Sequence, residues 1–237
     1  FDSVEKACAS ISAIFMAGFF PSAVEYLDND AVDYALTFIG GPWINIEQSA
    51  KAHLLIEVDG NDMDALMKDI EGISSILTTY DCGEILFADN AAQKEKIWKL
   101  RSCIGEAIKS QSVYKDEDTV VPRAELPVLL NGAKEIGKRY GFKIVCCGHA
   151  GDGNMHISVL KEELTDEQWH GPVKEGIREI FQLVKSLNGT ISAEHGIGLV
   201  QKEYLDVVFN KTQMRLMRDI KKAFDPNNIL NAGKIFD

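Results

Sequence analysis

Long apolar runs are missing from this chain. None approaches the ~20 residues that a bilayer-spanning helix needs, and no signal peptide is visible. Cysteine is sparse: Cys8, Cys82, Cys103, Cys146 and Cys147 form no CxxC pair and no even disulfide count. Buried, reduced thiols in a cytoplasmic protein are the expectation. Basic residues are outnumbered, 25 Lys and Arg against 36 Asp and Glu, for a formal net charge of -11. Nucleic acid and anionic membrane both need a basic face, so neither is the main partner. An anionic ligand is then met by local cations. Internal repeats and low-complexity segments are absent too. The chain starts at Phe1 with helical patterning almost at once, which suggests a fragment of a longer polypeptide.

What is present suffices for a real core: 46% hydrophobic and 26% charged residues over 237 positions. Val4, Ala7, Cys8, Ile11, Ile14 and Phe15 repeat at helical spacing behind Asp2 or Ser3 as cap. A second helix is expected over 22–38, ending at Gly40-Gly41-Pro42. Strand is expected over 53–58, a short helix over 61–71, a second strand region over 75–88 and a long helix over 89–110. Strand over 119–121 and helix over 125–140 follow. Strands over 142–147 and 155–160 flank a glycine-rich turn, and adjacent Cys146 and Cys147 project to opposite faces. A strong helix carries Val173 to Leu187, then come a short strand over 191–194 and a helix over 211–224. The pattern predicts an α+β fold. It is a mainly antiparallel sheet with helices packed on one face (a ferredoxin-like cap), plus flanking N- and C-terminal helices. The expected division is 1–40 helical, 41–210 cap, and 211–237 C-terminal helix and tail.

Three of the five histidines sit among glycines in two short segments, Gly148-His149-Ala150-Gly151-Asp152-Gly153-Asn154-Met155-His156 and Ala193-Glu194-His195-Gly196-Ile197-Gly198. On the second strand of the hairpin Met155, Ile157 and Val159 share the core face, so His156 points to a cleft or to solvent. His149, across the turn, stands beside it at one end of the sheet. Glu194 is a candidate third ligand, and two histidines with one carboxylate leave open positions on a divalent metal. The side chain of His195 diverges from that of Glu194 and is a candidate general base. The bland alternative is a set of polar turn residues around a tight hairpin. Arg101 lies on an otherwise apolar stripe with Ile97, Leu100, Ile104 and Ile108, so it needs an anion. That anion is either a protein carboxylate or a substrate's. Lys115, among Asp116, Glu117 and Asp118, reads most simply as a solvated loop charge.

These segments, with Phe224-Asp-Pro-Asn-Asn-Ile-Leu-Asn-Ala-Gly-Lys234, resemble the C-terminal signature of FAD-linked 2-hydroxy-acid dehydrogenases of the vanillyl-alcohol oxidase type. That family includes glycolate oxidase flavin subunits, D-lactate dehydrogenases and D-2-hydroxyglutarate dehydrogenases. The glycine-rich pyrophosphate-binding segment of their FAD domain is absent. The resemblance therefore implies a substrate-binding cap that is inactive alone. It implies His149, His156 and Glu194 as ligands of zinc or manganese, and His195 as the base that takes the hydroxyl proton. Arg101 and Lys115 become cations for the substrate carboxylate, and Asn231 the tail residue that approaches the flavin.

The implied partners are a small 2-hydroxy acid and, for the whole protein, a quinone or electron-transfer flavoprotein. A homodimer, and association with the inner face of the membrane through that acceptor, stay open. Two positions depart from the pattern. Ala232 stands where the family usually has proline, and Gly105 where hydroxyglutarate-type members carry a hydroxyl residue. A stand-alone metal-dependent hydrolase and a non-catalytic, metal-stabilised interaction domain are the rival readings.

Overall fold

A computed structural model describes residues 1–41, 46–47 and 49–236. Helix α1 (Val4–Met16) starts where the Ser3 side chain accepts from the Lys6 amide. Next come β1 (Ala23–Asp28), α2 (Asn29–Ile39), β2 (Ala52–Glu57) and α3 (Met63–Thr79). The pair α4 (Ala91–Ser102) and α5 (Ile104–Gln111) leads into β3 (Tyr114–Val120). Helix α6 (Leu126–Tyr140) precedes the hairpin of β4 (Lys143–Gly148) and β5 (Asn154–Leu160). Helices α7 (Asp166–His170), α8 (Pro172–Ser186), α9 (Leu205–Val208) and α10 (Lys211–Phe224) complete the chain.

The five strands form one sheet in the order β2-β1-β4-β5-β3, every pairing antiparallel. The α+β, antiparallel expectation therefore holds. Helices cover both faces of the sheet rather than one. Val24, Tyr26, Ile144, Cys146, Met155, Ile157 and Val159 face a core shared with α1, α6 and α8. Leu27, Val145, Cys147 and Leu160 face a second core with α2, α4 and α5. Adjacent Cys146 and Cys147 thus enter opposite cores, as strand alternation requires.

Several expected elements are corrected. Residues 23–28 are strand, not helix: β1 is buried along nearly its whole length and paired on both sides, so its apolar run carries no period-2 signal. Gly40 ends α2 in a left-handed turn (φ 82°), while Pro42 lies outside the described residues. Helix α3 runs through Gly72 to Thr79 where strand was expected. A Cβ at Gly72 would lie 2.2 Å from Phe19 Cζ, so glycine admits that ring, and Ile73 and Leu77 pack on Ile14. The long helix expected over 89–110 is interrupted at Cys103.

Two further differences lie near the chemistry. Acidic residues 116–118 belong to β3, not to a loop. No strand forms over 191–194; the sole bridge there joins Thr190 to Val120 among the described residues.

Candidate functional site

The β4–β5 hairpin sets the geometry. Its turn returns on itself because the His149 carbonyl accepts from the amides of Asp152 and Asn154, at 3.0 and 3.2 Å. Gly153 is required there: its φ is +77°, and a Cβ would lie 2.1 Å from the Val121 carbonyl oxygen. His149 leaves the end of β4 and His156 stands on β5, facing the same side as Val145 and Cys147 of β4. The two rings are 6.2 Å apart between centroids. The loop after Thr190 brings Glu194 over both, with its Oε1 3.3 Å from His156 Nε2 and 3.8 Å from His149 Nε2. The His195 ring lies 5.0 Å from the His156 ring.

Around this trio stand carboxylates. Glu25 of β1 is 3% exposed and divides its two oxygens, Oε1 2.7 Å from His149 Nδ1 and Oε2 2.7 Å from Arg101 Nε on α4. A carboxylate at Nδ1 favours the tautomer with its proton there, which leaves Nε2 with a free lone pair toward Glu194. Asp116 of β3 approaches His156 Nδ1 at 3.4 Å, an ion-pair distance rather than a formed hydrogen bond. The direct approach of that carboxylate to the ring, with its charge and that of Asp118 adding to it, holds the imidazole pKa above the ordinary value against burial. Asp118, opposite His156 in the β3–β5 register, accepts at one oxygen from the amides of Ala193, Glu194 and His195 at 2.8 to 2.9 Å. Burial pushes the Asp118 carboxyl upward, but the amides of His195, Glu194 and Ala193 outweigh it and hold its pKa below the usual value.

The set fits a divalent cation. His149, His156 and Glu194 offer ligand atoms that all lie within 4.8 Å of one another. An ion about 2.1 Å from each of its tetrahedral ligands sets them about 3.4 Å apart, and the spacings of 3.3 and 3.8 Å straddle that figure. Glu25, Asp116, Asp118 and Glu194 bring four carboxylates around the histidines, where Arg101 pairs with one of them, and a positive ion would relieve that excess of negative charge.

The structure brings together His149, His156, Glu194, His195 and Arg101. The anion Arg101 meets is the protein's own Glu25. It does not bring Lys115: β3 alternation turns that side chain to the opposite face, where its ammonium lies 5.4 Å from the centre of the Trp169 ring. The expectation of Lys115 as a substrate cation is therefore corrected. Asn231 sits in the exposed tail at φ 47°.

Comparison with known proteins adds the family. The description "FAD linked oxidases, C-terminal domain" matches residues 1–235. The chain belongs to the C-terminal domain family of FAD-linked oxidases. It is 32% identical to a D-lactate dehydrogenase of Anaerostipes hadrus over 239 residues, 99% of this chain and 50% of that protein. It is 32% identical to glycolate oxidase subunit GlcD of Escherichia coli K12 over 235 residues, 99% of this chain and 46% of that one. A D-2-hydroxyglutarate dehydrogenase of Stutzerimonas stutzeri is 36% identical over 154 residues, 64% of this chain and 33% of that protein. The chain spans about half the length of the first two.

Its fold is that of p-cresol methylhydroxylase (TM-score 0.66 at 13% identity, 97% of this chain and 50% of that one). A 4-ethylphenol oxidase from Gulosibacter chungangensis shares it as well (TM-score 0.65 at 15% identity, 100% and 52%). The family match includes the 225–234 tail. No helix among the described residues is long and apolar enough to cross a membrane.

Sequence reasoning missed Glu25, Asp116 and Asp118 in this FAD-linked oxidase domain. Glu25 sat inside a segment taken for helix, and the two aspartates inside a run taken for a solvated loop. Strand alternation over 114–120 would have placed Asp116 and Asp118 together on one face, and a lone Glu in Ala-Val-Glu-Tyr-Leu was the other available signal.

Proposed function

We propose that this chain is the substrate- and metal-binding part of an FAD-dependent oxidoreductase that converts a D-2-hydroxy acid to the 2-oxo acid. The substrate class is lactate, glycolate or hydroxyglutarate. The observation that carries this reading is the convergence of His149, His156 and Glu194 beside His195 and Arg101. Relatives that carry lactate, glycolate and hydroxyglutarate names support the substrate class.

His149 Nε2, His156 Nε2 and Glu194 Oε1 are the ligands for zinc or manganese. When bound, the metal supplies Lewis-acid polarisation of the α-hydroxyl, and the flavin of the whole protein supplies the acceptor for the α-hydride. His195, exposed beside His156, takes the hydroxyl proton on a ring nitrogen. Arg101 keeps its Nε on Glu25 and offers its Nη donors to the substrate carboxylate. Glu25 thereby fixes both an anchor and a ligand from one buried position. Helix α10 buries none of its residues, and with the 225–237 tail it is the segment that returns to the flavin-binding part, with Asn231 facing it. In the whole protein the electrons pass on to a quinone or an electron-transfer flavoprotein.

The test is thermal stabilisation of this chain by D-lactate, glycolate and D-2-hydroxyglutarate, with and without zinc. One of the three raises the melting temperature only when zinc is present, and Arg101→Ala removes the effect. Equal stabilisation by simple carboxylic acids without an α-hydroxyl contradicts the proposal.

A further inference from the structure

We propose that Asp118 is a positioning residue that builds the Glu194–His195 loop into its working shape, acting through backbone amides rather than by touching substrate or metal. The inference rests on the metal reading above and extends it to a residue outside the ligand set. The loop over 191–196 has no strand ladder to hold it. Its order comes from one carboxylate oxygen, Asp118 Oδ2, which accepts from the Ala193, Glu194 and His195 amides at 2.9, 2.8 and 2.8 Å. Ser192 Oγ donates to the same oxygen at 3.2 Å and itself accepts from the Gly196 amide at 2.8 Å. Five consecutive residues are thereby tied to a side chain that is fully buried.

Converging amides create a positive concavity, and a carboxylate of aspartate length fills it. The neighbour holds the far end. Glu117, one residue earlier and so on the opposite face of β3, accepts from Gln201 Nε2 at 2.9 Å. Thr190 pairs with Val120 at the near end. Strand β3 therefore grips the 190–201 segment from Glu117, Asp118 and Val120, and Asp118 holds the stretch that carries the chemistry. Without it, three amides lose their acceptor, and nothing fixes Glu194 Oε1 within 3.3 Å of His156 Nε2.

The experiment is a zinc titration against a chromogenic chelator with this chain and three variants: Asp118→Asn, Glu194→Ala and the double variant. Asp118→Asn keeps the shape and removes the charge. Outer-shell partners are worth about 10- to 100-fold in metal affinity, so a zinc affinity lower by that factor is expected. In the Glu194→Ala background the same change is expected to lower affinity less than about 2-fold, because its effect passes through that ligand. Hydrogen exchange at the Ala193, Glu194 and His195 amides is expected to accelerate at least 10-fold in Asp118→Asn. Ser192→Ala, which spares the buried carboxylate, gives a smaller loss in the same direction and serves if Asp118→Asn does not fold.

Zinc binding that neither Asp118→Asn nor Ser192→Ala weakens overturns this inference alone. Equal losses with and without Glu194 overturn it as well, since they indicate general destabilisation. No zinc binding by the unaltered chain overturns the metal reading and this inference with it.

Discussion

Replacing Glu117 by Gln is expected to stabilise this chain, and to do so more strongly as pH rises. Glu117 is 2% exposed on the face of β3 opposite the histidines, and its one hydrogen bond comes from Gln201. Burial pushes its pKa from an ordinary 4.5 to about 7; Gln201 and Lys115 pull it down, while Asp116 and Glu203 push it up. Well below pH 4.5 the carboxyl is protonated in folded and unfolded chains alike. As pH rises the unfolded chain releases its proton first, which favours unfolding until the folded carboxyl also ionises near pH 7. At about 1.4 kcal/mol per pH unit that window amounts to roughly 3 kcal/mol in all, and to about 2.5 kcal/mol between pH 5 and 8. Glutamine keeps the shape and never ionises. Urea denaturation of both proteins at intervals from pH 5 to 8 reads the difference directly. Stability curves that stay parallel within about 0.5 kcal/mol would refute the reasoning, because they would mean that Glu117 ionises as freely in the fold as in water.

Three other perturbations have definite outcomes. Glu25→Ala strips Arg101 of its buried counter-charge and His149 of its Nδ1 partner, at a cost of about 3 kcal/mol in urea denaturation; a loss under 1 kcal/mol contradicts the pairing. Gly153→Ala places a methyl 2.1 Å from the Val121 carbonyl at a positive φ and lowers the melting temperature by about 5 °C or more; an unchanged melt refutes the close approach. Zinc at about 100 times its dissociation constant stabilises the chain by roughly 2.7 kcal/mol, and a chelator reverses this. The His149→Ala/His156→Ala variant shows neither effect; equal stabilisation of both proteins places the binding elsewhere.

Periodicity made much of the fold legible. Helix α8 read directly because it buries one face and exposes the other, so its sequence repeats with the element; the β4–β5 hairpin, buried on both faces, read instead from the glycine-rich turn between its two strands. Strand β1 did not, because it is likewise buried on both faces and no turn residues separate Asp28 from the start of α2 at Asn29. Gly72 misled for a related reason: a glycine that admits the Phe19 ring looks in sequence like one that ends a helix. At the site, His149, His156, Glu194 and His195 were legible because glycines single them out. Glu25, Asp116 and Asp118 were not, since which carboxylate a histidine or a loop amide meets depends on strand order, and sequence spacing is silent about that. Lys115 shows the same limit, as one residue of register sends it to the other face of the sheet.

His149, His156 and Glu194 are the proposed ligands of a divalent metal. Elemental analysis of this chain, purified without metal-affinity resin, beside the His149→Ala/His156→Ala variant tests that assignment most directly. About one zinc or manganese per chain is expected, lost in the variant. Metal retained in full by the variant, or none taken up by the unaltered chain when zinc and manganese are supplied in excess, would contradict the assignment.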